Sequence, residues 1–340
     1  MNSKRHSSGF SLLELLVALV VVATIATTTS GLVSVYQIYQ EASYIETATD
    51  VNRRLGKALQ QWAANENNGR LPAVYTGGGF TSSVADPTNA TLMGYISNAG
   101  VHLDMINDDG FASRRVRTYQ PIALSRTVPL FGNTGDTVVL NYDHAVIYQT
   151  KCPLADATCN PSATGIPGDS VVLTAANVNT WNVGGDDVRP YPFNTYGIQL
   201  GWMETTRGRL ESIRDALRAS FLNQLQAAAP GTTTNFYLLP TGAGAPAPVV
   251  ADPATNQDCH DQWYQLDAAN VNILNQLNIS PVSTMATTPW GGRIEYCPDY
   301  DPAGLGANAQ PHGAALRINR TLSSGSAPSA VAANNFVLGF

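Results

Sequence analysis

The first 65 residues contain a long apolar run followed by an amphipathic pattern. From Phe10 to about Tyr36 the chain is apolar enough to cross a bilayer, at about 1.5 Å of helix per residue. Glu14 is the only charged residue in this run, and a carboxylate in hydrocarbon is costly unless a partner charge or a function accounts for it. The pattern predicts a transmembrane helix over residues 10–36 with one carboxylate that needs a physical reason.

The helical pattern continues beyond the apolar run. Apolar residues recur at spacings of three and four and form one stripe: Tyr44, Ala48, Val51, Leu55, Ala58 and Trp62. Gly31 weakens the helix by about 1 kcal/mol relative to Ala, but no proline interrupts it. Asn67–Gly69 and Pro72 are stop signals. The sequence predicts one helix from Phe10 to about Asn65, roughly 80 Å long, half in the membrane and half packed on a head domain.

Short apolar stretches separated by turn residues follow this helix. Thr137–Tyr142, Ala145–Gln149 and Ser170–Thr174 have the composition of strands. Asn107–Gly110 and Gly184–Asp187 have the composition of turns. A calcium loop is the alternative for the first of these turns, but a methionine stands where such a loop needs an acidic residue, so a turn is favoured. An antiparallel sheet packed on the helix, an α+β fold, is predicted.

The second half of the chain resembles the first. Between residues 204 and 228 a second apolar stripe occurs at helical spacing: Leu210, Ile213, Leu217, Phe221 and Leu225. At a constant offset of 158 residues, Glu46-Thr47 aligns with Glu204-Thr205. Each helix is followed by a Leu-Pro pair, Leu71-Pro72 and Leu239-Pro240. These likenesses favour an internal duplication, and a chance likeness between two amphipathic helices is the alternative.

A short polar leader precedes the apolar run. It carries Lys4 and Arg5, which the positive-inside bias holds in the cytoplasm, and it ends at Gly9. The usual secretory order, with a cleavage site after the apolar region, is not followed. The order of basic leader, Gly9, Phe10, Leu-rich segment and Glu14 resembles a type IV prepilin signal, the leader of type IV pilins and type II secretion pseudopilins. An ordinary signal anchor with an accidental glutamate is the alternative.

The resemblance implies a processing step and an assembly contact. A membrane-embedded prepilin peptidase would cut between Gly9 and Phe10 on the cytoplasmic side and methylate the new Phe10 amine. Glu14 would become the fifth residue of the mature chain and pair with the positive N-terminus of a neighbouring subunit in the filament core. That pairing would supply the missing reason for a carboxylate in hydrocarbon.

A second resemblance concerns the head. Thr288–Cys297 is similar to the Pro-Trp-Gly turn and strand in the heads of pseudopilins and some minor pilins. Two pilin-like heads, each an antiparallel sheet packed on a helix, are therefore expected. The expected division of the chain is a leader at 1–9, a transmembrane helix at 10–36, a first pilin-like head region at 37–195, a second pilin-like lobe at 196–302 and a loop-rich C-terminal segment at 303–340. Gly313–Asn319 and Asn335–Phe340 are candidate edge strands in that segment.

Composition narrows the class of protein. Charged residues make up 13% of the 340 residues, and Gly and Pro are abundant. This favours a β-rich, loop-rich extracytoplasmic protein over a cytosolic enzyme. The formal charge of −6 becomes about −8 once Lys4 and Arg5 leave with the leader, which argues against a general nucleic-acid binder.

Four cysteines in an oxidising compartment allow three pairings. Disulfides Cys152–Cys159 and Cys259–Cys297 are favoured because each closes a loop within one region. A zinc site is the rival interpretation. The spacings do not match CxxC and only His260 lies beside a cysteine, so disulfides are preferred and no metal is expected.

Nothing in the sequence supports catalysis. Beyond the leader the histidines are scattered, without HExxH, GxSxG or Walker motifs: His102, His144, His260 and His312. The polar cluster Asp258–Asp261 has a ligand-binding alternative, but a disulfide beside a solvated loop is favoured. Four tryptophans are expected in the core or in strands rather than on a stacking platform: Trp181, Trp202, Trp263 and Trp290. No cofactor is expected.

The resemblance implies a non-catalytic minor pilin or pseudopilin-like subunit of a type IV pilus or type II secretion filament. It would dock through the helix at 10–65 and display a head larger than that of a major subunit. Implied partners are other subunits, the prepilin peptidase and the inner-membrane assembly platform. The expected location is the inner membrane with a periplasmic head, then the filament. A tip adhesin or DNA-uptake receptor, with a surface or DNA ligand, is the main alternative, and an inner-membrane protein with an unrelated head is the third.

Overall fold

The computed structural model describes residues 12–75, 86–107, 115–132, 135–153, 172–181, 188–241, 258–260 and 262–340. The helices are α1 (Leu12–Glu66), α2 (Ala90–Asn98), α3 (Asp104–Asn107), α4 (Tyr196–Ala227), α5 (Ile273–Gln276) and α6 (Val282–Met285). The strands are β1 (Arg115–Pro129), β2 (Thr137–Pro153), β3 (Tyr191–Asn194), β4 (Tyr264–Gln265), β5 (Glu295–Cys297), β6 (Ala315–Asn319), β7 (Thr321–Leu322) and β8 (Asn335–Gly339). A long helix followed by sheets and shorter helices confirms the predicted α+β fold.

The long helix ends where its turn residues predict. The predicted stripe is the face that the head covers, with Tyr44 and Val51 each 7% exposed and Leu55 fully buried. Asn68 and Gly69 take left-handed φ values of 51° and 72°, and the Gly69 N–H donates to a carbonyl of the last turn at 2.7 Å. A left-handed glycine at this place satisfies a carbonyl that the helix end leaves without a partner.

In the described part of the chain, the first sheet has the order β1-β2-β3, and β7 pairs with β2 as well. β1, β2 and β3 are antiparallel, whereas β7 runs parallel to β2. α1 packs on one face of this sheet, where Leu55 and Leu59 lie in one buried cluster with Tyr119 and Ile147. α2 adds Leu92 to the same cluster, so this helix-on-sheet core holds the C-terminal half of α1.

Two sequence predictions for this region are wrong in detail. Thr137–Tyr142 and Ala145–Gln149 form one strand, β2, rather than two. The polar residues between them suggested a break, but Asp143 is 5% exposed and its carboxylate is paired with Arg70. β1 was not predicted at all, because its apolar and polar residues do not alternate.

The strand predicted at Ser170–Thr174 is also wrong for the residues that the structure describes. Val172–Thr174 is irregular, and the Leu173 N–H donates to the side chain of Gln120 at 2.7 Å rather than to a neighbouring strand. Most of the two predicted turns lies outside the described residues. The exception is Asn107, which ends α3.

The second sheet has the antiparallel order β4-β5-β6-β8 within the described residues. α4 covers the predicted 204–228 segment and begins eight residues earlier, at Tyr196. Its buried residues Leu210, Ile213 and Leu217 share one core cluster with Leu140 of the first sheet and Leu316 of the second. α4 therefore packs on the end of the first sheet as well as on the second.

The division at residue 302 stays a proposal, and so does the duplication. β6 and β8, from the predicted C-terminal segment, pair with each other, and β6 also pairs with β5 from the preceding region. Of the two candidate edge strands, β6 lies inside the sheet and β8 lies at its edge in the described part of the chain. β7 returns to the first sheet, so the C-terminal segment contributes to both sheets.

Candidate assembly site

The N-terminal half of α1 projects from the head with its apolar side chains uncovered. From Leu15 to Tyr39 the large apolar side chains are at least half exposed, whereas Tyr44 is 7% exposed. The helix is long and apolar enough to cross a membrane by length and composition. Residues 15–39 would span roughly 38 Å at 1.5 Å per residue, against a hydrocarbon core of about 30 Å. Such a surface needs lipid or other apolar helices around it.

The threonines within this apolar half keep their hydroxyls bonded inside the helix. The hydroxyl of Thr27 donates to the Ala23 carbonyl at 3.0 Å, and that of Thr28 donates to the Thr24 carbonyl at 2.8 Å. Thr29 makes the same contact one turn back. Because these polar groups are satisfied locally, they do not oppose placement in hydrocarbon. The helix is continuous through Gly31.

The residues predicted for processing and assembly lie at the start of this helix. Gly9 and Phe10 fall outside the described residues. Glu14 belongs to the first turn of α1, and its side chain is likewise outside the described part. The structure therefore places Glu14 on the helix that projects from the head. Its partner charge stays a prediction.

One of the two predicted disulfides is present among the described residues. Cys259 and Cys297 are bonded at an S–S distance of 1.97 Å and link the loop before β4 to the end of β5. The pairing of Cys152, near the end of β2, with Cys159 lies outside the described residues and stays a prediction.

The exit from α1 is fixed to the head by Asp143. The carboxylate of Asp143 accepts two hydrogen bonds from the Arg70 guanidinium, at 2.7 and 3.0 Å, and a third from the Leu71 N–H at 2.7 Å. Thr195, which precedes α4, exchanges hydrogen bonds with the main chain of Asp143. A charge-assisted bidentate pair of this kind is geometrically specific. It orients the projecting helix relative to both sheets.

A second contact at this junction involves Gln199 of α4. Its amide nitrogen donates to the Asn68 carbonyl at 3.2 Å, and its oxygen accepts from the indole N–H of Trp290 at 2.6 Å. Gln199 is fully buried and Trp290 is 2% exposed. One side chain thus links the end of α1 to the Pro-Trp-Gly turn. The sequence gives no signal for this contact.

Replacing Gln199 with methionine should therefore destabilise the head. The substitution keeps the side-chain length but leaves the buried indole N–H of Trp290 unpaired, which costs about 1–3 kcal/mol. Urea unfolding of the full chain in detergent micelles, followed by tryptophan fluorescence, measures the loss. Gln224→Met, at the exposed end of the same helix, is the matched control and should stay within about 0.5 kcal/mol of wild type. Equal stabilities of the two variants would contradict the contact.

A buried ion pair lies beneath the disulfide. Glu295 is fully buried and Arg317 is 1% exposed, and the guanidinium Nε of Arg317 is 2.7 Å from the carboxylate. The guanidinium carbon lies 4.2 Å from the ring centre of Trp263. Burial raises the pKa of Glu295 and lowers that of Arg317, although each group partly offsets the shift of the other. Burial therefore works against both charges, and the pair retains them through mutual contact.

The polar cluster predicted at Asp258–Asp261 is partly described. His260 Nε2 lies 2.9 Å from Asp301 Oδ2, and this hydrogen bond is the main reason why the pKa of Asp301 is lowered. Asp261 lies outside the described residues. Among the described residues, no group of three or more His, Cys, Asp or Glu side chains is arranged to hold a metal ion. The tryptophans predicted as core residues include Trp263 and Trp290, both buried.

Comparison with known proteins identifies the N-terminus. A family model described as the prokaryotic N-terminal methylation motif matches residues 4–30. The match and the apolar helix are consistent with the type IV pilin and pseudopilin family, whose members are generally structural. The motif implies processing by a prepilin peptidase, membrane anchoring and assembly with other pilins. No curated protein and no solved structure matches the chain.

Proposed function

We propose that this chain is a non-catalytic minor pilin or pseudopilin-like subunit of a type IV pilus or type II secretion filament. The observation that carries the proposal is the division of α1 into two halves. The half from Leu15 to Tyr39 is apolar and uncovered, and the half from Tyr44 onward is built into the head core. One helix therefore couples a membrane or filament contact rigidly to a folded head.

The same helix serves two environments in turn under this proposal. Before assembly its apolar half lies in the inner membrane with the head in the periplasm. In the filament the same surface packs on the helices of other subunits, so apolar area is covered in both states. Glu14 pairs there with the methylated amine of a neighbour, and the Asp143 contacts hold the head at a fixed angle to the helix.

The size of the head favours a minor subunit. It contains two sheets in the described residues and closes its second sheet with a disulfide. A head of this size on every subunit would crowd a repeating shaft, so we place the chain at the tip or side of the filament. The inner-membrane assembly platform and the other subunits are its proposed partners.

Processing gives the first test of this proposal. The mature chain should begin at Phe10 with a methylated amine, because the basic leader ends at Gly9 and the apolar helix follows directly. Mass analysis of the N-terminal peptide, from a strain that has the peptidase, measures the start and the added methyl group. The same peptide from a strain without the peptidase should retain the leader. A mature chain that starts elsewhere would remove the family assignment.

A further inference from the structure

A cleft opens in the second sheet region beside the disulfide. Its volume is about 270 Å³, below the roughly 300–1,000 Å³ of pockets that hold drug-sized ligands, so its size suits a single side chain. Three segments meet there: the extended stretch after α4, the disulfide-linked ends around β5 and the loop that precedes β6. The lining residues are Asn235, Tyr237, Leu239, His260, Pro298, Asp299, Ala307 and Asn308.

The segments around the cleft are held together by hydrogen bonds. Asn235 donates to the Pro298 carbonyl at 3.0 Å, and the side chain of Gln310 donates to the Thr232 carbonyl at 3.0 Å. His312 lies 2.9 Å from the Thr233 carbonyl. These bonds join the stretch after α4 to the other two segments, so the cleft is pre-formed.

Asp299 is the charged group of this cleft. It is 7% exposed, and its Oδ2 accepts a hydrogen bond from the Asn308 N–H at 2.9 Å. Within the described part of the chain, its other carboxylate oxygen has no hydrogen-bond donor and no cation beside it. Asp301 differs, because its Oδ2 accepts from both His260 and the Gly306 N–H. A buried carboxylate with one open oxygen, facing a cavity, points to a cationic ligand.

We propose that the cleft binds one lysine side chain of a partner protein. The apolar stem of a lysine would lie against Leu239 and Pro298, and its ammonium group would donate to the open oxygen of Asp299. Arginine fits less well. Its planar fork binds carboxylates through two parallel hydrogen bonds, but the second oxygen of Asp299 is already used by Asn308.

The lysine belongs to a different protein rather than to a second copy. Lys4 leaves with the predicted leader, and the remaining lysines of this chain are Lys57 and Lys151. Lys57 lies on the head-packed half of α1, beside Gln60 and Gln61 on a helix surface, and does not extend from a loop. The inference does not depend on the filament role, since a cleft of this chemistry would bind the same group in any extracytoplasmic protein.

Binding of a lysine probe to the full chain in detergent micelles tests the inference. The probe is Nα-acetyl-lysine methylamide, and the matched neutral probe is Nα-acetyl-norleucine methylamide, which keeps most of the stem and lacks the amine. Ligand-observed saturation-transfer NMR at low salt should give a Kd of roughly 1 mM for the lysine probe. The norleucine probe should bind at least tenfold more weakly.

Two variants and one control locate the binding in this cleft. Asp299→Asn should weaken the lysine probe at least tenfold. Leu239→Ala, at a residue that is 52% exposed and so safe for folding, should weaken it two- to fivefold. Glu211→Gln, an acidic residue on α4 outside the cleft lining, should leave binding unchanged. Equal binding of both probes, no binding by either, or calcium binding through Asp299 that excludes the lysine probe would each overturn the inference.

Discussion

Replacing Glu14 with alanine should remove this chain from sheared filaments while leaving its amount in the inner membrane unchanged or slightly higher. The apolar half of α1 is uncovered along its length, so insertion needs no contact with another subunit. Removing the carboxylate lowers the cost of insertion by about 2.5–3.5 kcal/mol on insertion scales for a central position. The partner amine would lose its counter-charge in the filament core, and assembly would fail there. Immunoblots of sheared and membrane fractions measure the two amounts.

The control for this experiment lies on the same uncovered half of the helix. Thr28→Ala removes a hydroxyl that is already bonded within the helix, at 2.8 Å to the Thr24 carbonyl. This variant should enter filaments at close to the wild-type level. A Glu14→Ala protein that enters filaments in wild-type amounts would remove the proposed assembly contact, even if the processing at Phe10 were found as expected.

Local patterns in the sequence were sufficient to predict the helices. The stripe from Tyr44 to Trp62 and the stop at Asn67–Gly69 each depend on residues within a few turns of one another. The observed end of α1 follows from the left-handed backbone at Asn68 and Gly69, which those residue types favour. The α4 stripe was predictable for the same reason, since Leu210, Ile213 and Leu217 recur at helical spacing.

The strands were predicted less well because their environment is set by distant residues. Asp143 looked like a break between two strands, yet Arg70, 73 residues earlier in the chain, neutralises it inside β2. β1 contains Pro121, which argues against an interior strand, but β1 lies at the edge of the sheet in the described part of the chain. Arg117 of the same strand is buried and bonded to Asn52 of α1 at 2.7 Å. None of these partners is visible in a local pattern.

The candidate sites divide in the same way. Gly9, Phe10 and Glu14 form a contiguous motif, which a sequence can carry without any fold. The Gln199–Trp290 contact joins residues 91 positions apart, and the open oxygen of Asp299 is recognisable only once the cleft is formed. Long-range contacts of this kind depend on the packing of α4 between two sheets. Sequence reasoning could name their residues as polar or aromatic but could not pair them.

Glu295→Ala should destabilise the head more than Gln199→Met does. It would leave the guanidinium of Arg317, which is 1% exposed, buried without its carboxylate partner. Breaking a buried ion pair by removing one partner costs about 3–5 kcal/mol. Urea unfolding of the full chain in detergent micelles, monitored by tryptophan fluorescence, should show this loss in the free energy of unfolding.

The double variant Glu295→Met, Arg317→Met gives the decisive comparison. Burial raises the pKa of Glu295 and lowers that of Arg317, so both charges carry a desolvation cost that disappears when the two are removed together. The methionine at 317 would keep an unbranched apolar stem against Trp263, over which the guanidinium now lies at 4.2 Å. The double variant should therefore recover most of the stability that Glu295→Ala loses. If it were as unstable as the single variant, the loss would come from packing at β5 and β6 and not from an unpaired buried charge.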